Sequence, residues 1–266
     1  MVIREANGVK FVVSEYLRSP HAFSTRVGGE SELDCTGAMN LAFGRGDDDE
    51  TVIKNLAKFA HASGFLPESI ISVPQIHSAD VRVVGEEHRG LGYFREADFS
   101  CDGYITERKN VVLGIKTADC VPILLEARNK SGEVIAVSAL HAGWRGTAAR
   151  IAERGVLELL GFGSSPDNIF AAIGPCIGRC CFEVGGECQN ELQKLDSAGA
   201  CVEIHENGKA FYDLAALNAA VLESVGVPKS HIDICGLCTY CESELFYSHR
   251  RQNGVRGSML SVIWKI

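Results

Sequence analysis

The chain has 266 residues, 46% hydrophobic and 23% charged, with a formal net charge of −8 and a pI near 5.5. That length buries a sizeable core, and the acidic balance, with no basic run beyond pairs such as Arg250-Arg251, argues against a nucleic-acid or anionic-membrane binder. No apolar stretch approaches the ~20 residues that span a bilayer and the start, MVIREANGVKFVVSEY, lacks a signal-like apolar region, so a cytoplasmic protein is expected.

Early strand candidates are followed by GDDDETVIKNLAKFAHASGF, which predicts a helix. Its acidic start caps the free amides and complements the dipole, Val52, Leu56, Phe59 and Ala60 share one face, and Gly64 is the stop. The β-branched runs SIISV, VRVV, NVVLGIK, VPILLE and VIAVSAL then predict strands. A second helix is expected from about Thr147 to Leu160. A third runs from an Asp213 N-cap through LAALNAAVLESV to Gly226, ahead of Pro228, and SMLSVIW predicts a last strand. Strands outnumber helices without strict alternation, which predicts an α+β fold with a mixed sheet. No repeat, low-complexity tract or linker interrupts it, so residues 1–266 are expected to form one domain.

The eleven cysteines, an odd number without a signal peptide, predict reduced thiols or metal ligands rather than disulfides. CGLCTYC (Cys235, Cys238, Cys241) has the spacing of part of an iron–sulfur run but lacks the fourth Cys and the Pro that complete it. GPCIGRCCFEVGGEC adds Cys176, Cys180, Cys181 and Cys188, of which two are adjacent and suited poorly to one metal. These seven therefore read as small apolar packers with an occasional reactive thiol.

Three other segments each meet a potential ligand where a strand-like run turns: VPQIHSADV at His77, IKTADCVPILL at Cys120 and SALHAGWRG at His141. Two imidazoles and a thiolate suit zinc and leave a fourth position open, as in a catalytic site. The three lie far apart in sequence, so only the fold can unite them. In the last segment Gly143 and Gly146 permit close backbone approach, Arg145 offers a forked donor for phosphate or carboxylate, and a following helix N-terminus adds free N–H groups. Taken alone, Arg145 also fits a surface ion pair.

TADCVPILL, HAGWRGTAARI, PQIHSADV and GPCIGRCCFEVG, with STRVGG (24–29), MNLAFGRGDDDE (39–50) and FYSHRR (246–251), together resemble the YfiH-like, laccase-domain family. That family is variously described as polyphenol oxidases, purine nucleoside phosphorylases and peptidoglycan-editing factors. The resemblance implies a single layered α/β sandwich with a metal, usually zinc, on His77, Cys120 and His141. It implies phosphorolysis of adenosine, inosine, guanosine or methylthioadenosine, and deamination of adenosine to inosine. Departures fall at Gly44-Arg45, where the family carries a His and a hydrophobic residue, and at His249, where it carries a Tyr.

On that reading Asp119 acts beside Cys120, His77 and His141 as a proton shuttle, or else orients a ligand or forms the turn. Arg26, Arg145 and Arg45 are the candidates for a phosphate cradle, and Asn40 and Gln75 for reading a base edge or ribose hydroxyls. The expected partners are a purine nucleoside and phosphate, with no nucleic acid or membrane, for a monomer or weak homo-oligomer. Two other classes compete. One is a hydrolase or amidase acting on a peptidoglycan precursor, with Cys120 as nucleophile and His141 or His77 as base. The other is a copper polyphenol oxidase, for which only Met1, Met39 and Met259 exist as axial ligands.

Overall fold

A computed structural model describes residues 1–266. Two six-stranded mixed sheets stack face to face, with helices on both outer faces. The first sheet runs Val2–Ala6, Val9–Val13, His21–Ser24, Met259–Trp264, Val112–Thr117, Ile70–Ile71 in spatial order. The second runs Ile232–Ile234, Ile169–Ile173, Val121–Arg128, Val134–Ala142, Gly103–Thr106, Val81–Val83. A small three-stranded ribbon (Glu183–Val184, Ala210–Tyr212, Val202–Ile204) lies apart from them. Most neighbours are antiparallel; Ile70–Ile71 beside Val112–Leu113, Val81–Val83 beside Gly103–Ile105, and Ala171–Ile173 beside Ile232–Ile234 are parallel. This is the layered α+β sandwich expected from the sequence.

The central strands, such as Val112–Thr117, Val121–Arg128 and Met259–Trp264, are apolar on both faces because both faces are covered. Along Val112–Thr117, Leu113 and Ile115 face the opposite sheet, while Val112 joins the core under the first helix. Along Val121–Arg128, Leu124 points between the sheets, and Val121, Ile123, Leu125 and Ala127 point to the helices beyond. Each buried Val, Leu or Ile side chain among these contributes about 1.5–3 kcal/mol relative to exposure.

The first helix spans Asp49–Ser63; Asp48 caps it by accepting from Thr51 N–H, and Gly64 ends it at φ 92°. It covers the first sheet with Val52, Leu56, Phe59 and Ala60. Ile151–Leu160 and Leu214–Ser224 cover the second sheet, the latter capped by Asp213 accepting from Ala216 N–H.

The helix expected from Thr147 to Leu160 is two helices, Trp144–Ala148 and Ile151–Leu160. Arg150 separates them at φ 59°, where its side chain bonds Glu153 and the Ser224 hydroxyl. The break lets the short helix start directly at Gly143. Its Gly146 lies so close to the 77–78 turn that a Cβ would stand 2.9 Å from the Ser78 carbonyl oxygen.

Candidate metal centre and cleft

The second sheet closes the sequence distances between the candidate ligands by strand register. In the hairpin of Val121–Arg128 and Val134–Ala142, Val121 pairs with Ala142 and Pro122 with His141, so Cys120 emerges beside the end of the His141 strand. On the other flank Gly103 pairs with Leu140, and His141 N–H donates to the Asp102 carbonyl at 2.7 Å. Asp102 is thereby fixed next to His141. The 74–80 loop crosses this edge, held by Cys101 N–H donating to Pro74 O at 3.2 Å and Asp102 N–H to Asp80 O at 3.1 Å.

Asp102 is fully buried, and its carboxylate organises the centre. It accepts from the amides of Ile76 (3.2 Å), His77 (3.0 Å) and Ser78 (2.6 Å), from the Ser78 hydroxyl (2.8 Å) and from His141 Nδ1 (2.8 Å). Burial alone would raise its pKa, but the bonds from His141 and Ser78 hold it at about 2. The same amides hold His77 at φ 60°, a left-handed conformation rare for a residue with a Cβ, which turns the imidazole toward Cys120 and His141.

The ligand atoms of His77, Cys120 and His141 all lie within 4.8 Å of one another, and the two imidazoles meet edge to face with centroids 4.9 Å apart. With Nδ1 of His141 committed to Asp102, its Nε2 is the atom left to bind. This carboxylate–histidine arrangement fixes the tautomer a metal requires. Gly143 provides the room: a Cβ there would stand 2.9 Å from His77 Cδ2 and 3.3 Å from Cys120 Sγ. Burial would raise the Cys120 thiol, but the charge of His141 and bonds from both histidines pull it well down. Burial would lower His141, but the Cys120 thiolate and Asp102 hold it up. A thiolate and two oriented imidazoles fit a borderline-soft ion such as zinc. His141 is buried and Cys120 half-buried, but His77 is exposed, so the centre opens on one side.

It opens into a cleft of about 810 Å³ whose charged lining is Arg45, Arg95, Lys116 and Arg256 against Glu96 alone. In a chain of net charge −8 this is a local anion-attracting field. Lys116 Nζ donates to Ser72 O at 3.1 Å and lies 4.9 Å from the Tyr93 ring centroid. Burial, aided by the charge of Arg45, lowers the Lys116 pKa to about 8. Arg256 is lowered to about 10 by burial and by Arg45, and its Nε is buried with no partner in the protein. Phe43, Tyr93 and Phe94 supply aromatic surface on the same lining.

Of the substrate contacts expected from the sequence, Arg45 and Gln75 line this cleft. Gln75 spends its amide on Lys116, donating to its carbonyl at 2.9 Å and accepting its N–H at 2.7 Å. Arg26 turns away, clamping the Gly37 and Ser243 carbonyls over the Tyr247 ring. Asn40 is fully buried and saturated by Ala42, Asp47 and Ser258. Arg145 lies outside the cleft, stacked on Trp144 and 3.2 Å from Glu187. Asp119, at φ 90°, is not among the residues lining the cleft. Its carboxylate accepts from the Thr239 and Ser248 hydroxyls and from Arg250 N–H, so it anchors a loop. His249 is likewise off the lining.

Three lining or supporting residues were not singled out from sequence: Asp102, Lys116 and Arg256. Asp102 and Arg256 sit in unremarkable loops, FSCDGY and NGVRGS. Lys116 had one available signal, a lone cation ending the otherwise apolar run VVLGI.

The family model described as multi-copper polyphenol oxidoreductase laccase matches residues 20–266. The chain is 36% identical over 245 residues to a purine nucleoside phosphorylase, YlmD, of Geobacillus stearothermophilus, covering 90% of this chain and 88% of that protein. It is 37% identical over 234 residues to a protein named adenosine deaminase RL5, from an unknown prokaryotic organism, covering 86% and 88%. The crystal structure of YlmD from Geobacillus stearothermophilus superposes with a TM-score of 0.90 at 34% identity, covering 98% of this chain and 97% of that one.

Proposed function

Because the chain belongs to the multi-copper polyphenol oxidoreductase laccase family, we propose that it is a zinc-dependent purine nucleoside phosphorylase with a secondary adenosine deaminase activity. The observation that carries the reading is the union, in one cleft, of the His77–Cys120–His141 donor set with the cations Arg45, Lys116 and Arg256. Similarity to relatives named for these two activities supports it.

His77, Cys120 and His141 would hold the ion. When bound, zinc supplies Lewis acidity beside the reacting atoms. Among the histidines only His77 and His141 converge with a cysteine, which does not suit a multinuclear copper cluster. No methionine lines the cleft to serve as the axial ligand of a blue-copper site.

In phosphorolysis a phosphate oxygen bonds to ribose C1′, the C1′–N9 bond breaks and its electron pair leaves with the purine. Arg45, Lys116 and Arg256 bind the phosphate and offset its charge as the ribose becomes cationic. Phe43 and Tyr93, whose rings lie 5.5 Å apart, offer faces for a purine. Asp102 keeps His141 in one orientation throughout. In deamination water adds at C6 of adenosine and ammonia leaves, with no need for the cations. The substrates are taken as adenosine, inosine, guanosine and methylthioadenosine, acted on by residues 1–266 as one catalytic domain, monomeric or weakly self-associated. No helix is long and apolar enough to cross a membrane.

The paired Cys120 and His141 also favour a second reading, a metal-free cysteine hydrolase. Product analysis of adenosine incubated with and without phosphate tests both. Adenine and ribose-1-phosphate made only with phosphate are expected, and inosine in smaller amount. If a chelator leaves turnover intact while a thiol alkylator abolishes it, the hydrolase reading stands instead.

A further inference from the structure

Four cysteines away from the cleft converge on one another, two from each of the motifs that the sequence suggested were packing residues. Cys180 and Cys181 come from the tight turn in which Cys181 and Phe182 N–H both donate to Gly178 O. Cys238 and Cys241 come from the CGLCTYC loop. All four sulfurs lie within 4.8 Å of one another; Cys181 and Cys241 are 3.5 Å apart, Cys180 and Cys241 3.7 Å. Four thiolates about 2.3 Å from a central zinc stand about 3.8 Å apart in a tetrahedron. An iron–sulfur cluster, with bridging sulfides between its irons, needs them more widely spaced.

The backbone is built around these sulfurs. Gly178 N–H donates to Cys238 Sγ at 3.2 Å. Gly178 lets the two loops close, since a Cβ there would stand 3.2 Å from Cys238 Cβ and 3.3 Å from Cys180 Sγ. Two guanidinium groups stand beside the cluster: Arg250 donates to the carbonyls of Cys181 and Glu183, and Arg251 to those of Thr239 and Tyr240. Their charge offsets the net −2 of a zinc tetrathiolate. A single disulfide would use two of the four sulfurs and leave this arrangement without a role.

We propose that Cys180, Cys181, Cys238 and Cys241 form a second metal centre, a structural tetrathiolate site for one zinc ion. The centre ties the 176–182 turn to the 235–241 loop. Both reach the residue before Cys120: Thr239 donates its hydroxyl to Asp119 Oδ1 at 2.7 Å, and Ile177 N–H donates to Asp119 O at 2.9 Å. It therefore stiffens the loop that carries Cys120, whatever reaction the cleft performs.

The test uses the full chain, expressed with zinc and purified anaerobically under reducing conditions. Metal analysis is expected to find two zinc ions per chain in wild type and one in Cys120→Ala. Cobalt(II) loaded into Cys120→Ala should give intense visible bands and thiolate charge-transfer absorption of a tetrahedral tetrathiolate, reduced at least tenfold in Cys120→Ala/Cys241→Ser. Cys241 is exposed, so that variant should fold, with circular dichroism as the check. The Cys120→Ala protein alone suffices should it not. The proposal is overturned if folded Cys120→Ala binds neither zinc nor cobalt, or if the four cysteines are recovered as disulfides from the reduced, anaerobic preparation.

Discussion

Replacing Asp102 with Asn changes one buried oxygen to an NH2 and nothing else in volume, so it isolates what the carboxylate does. Oδ1 accepts from His141 Nδ1 and His77 N–H; Oδ2 accepts from Ile76 N–H, Ser78 N–H and the Ser78 hydroxyl. However the amide sits, its nitrogen opposes donors on one side, and the smaller loss is the Oδ1 pair. At about 1.5–3 kcal/mol for each bond to a charged acceptor, the expected loss of stability is about 3–6 kcal/mol. An NH2 facing Nδ1 also favours the other tautomer of His141, placing a proton where the metal should bind. Zinc affinity is therefore expected to fall about 10–100-fold, roughly 1.4–2.7 kcal/mol. Chelator competition measures that affinity and chemical denaturation the stability. Ser78→Ala is the control: it removes one donor to Oδ2, should cost about 1.5–3 kcal/mol, and should leave zinc affinity within threefold. If Asp102→Asn binds zinc as wild type does, the carboxylate does not set the orientation of His141 and the reasoning fails.

The remaining predictions concern the neighbours of that carboxylate and the cleft. Asp119→Asn should destabilise by about 2–3 kcal/mol, because three donors lose a charged acceptor; its pH–rate profile should match wild type, and a shifted limb would make Asp119 a proton carrier. Gly143→Ala should fold but bind zinc roughly tenfold more weakly, since the added methyl meets His77 and Cys120; unchanged affinity by chelator competition would refute the close approach. Lys116, lowered to about 8 against an ordinary value near ~10.4, is charged below pH 8 and loses its proton above it. Lys116→Met should raise the KM for phosphate, and the ratio of its KM to that of wild type, in which the titration of phosphate itself cancels, should be constant below about pH 8 and fall toward one above it. Stability behaves in the opposite sense: the folded state disfavours the charged amine, so this residue's contribution rises from pH 8 to about 10.4. Asp102 has a folded pKa of about 2 against about 3.9 unfolded, so its stabilisation is present above pH 4 and lost as pH falls toward 2. Acid unfolding monitored by circular dichroism should show a smaller loss over that interval in Asp102→Asn.

Much of this was legible in the chain because the signals are local. Asp48 and Gly64 bound the first helix, and Asp213 and Gly226 the helix Leu214–Ser224, because capping and left-handed turns depend on the residues at the ends themselves. Ile70–Ile71, Val81–Val83, Val112–Thr117, Val121–Arg128, Val134–Ala142 and Met259–Trp264 could be read from apolar or β-branched runs, whereas Gly103–Thr106, short and begun by a glycine, was not. His77, Cys120 and His141 could be singled out by donor chemistry at strand ends. What needed the tertiary structure was direction and adjacency. Asp119, Arg26, Asn40 and Arg145 have the right chemistry, yet their side chains are spent on loops, carbonyls or a neighbouring acid, which no local pattern reports. Asp102 and Arg256 became relevant only when strand order set them beside His141 and Cys120. The cysteines show the same limit: spacing made CGLCTYC incomplete and the adjacent Cys180-Cys181 unsuitable. Folding brings those two distant loops together, so that four sulfurs converge within 4.8 Å, a proximity in space that the chain reveals only once its sheets are stacked.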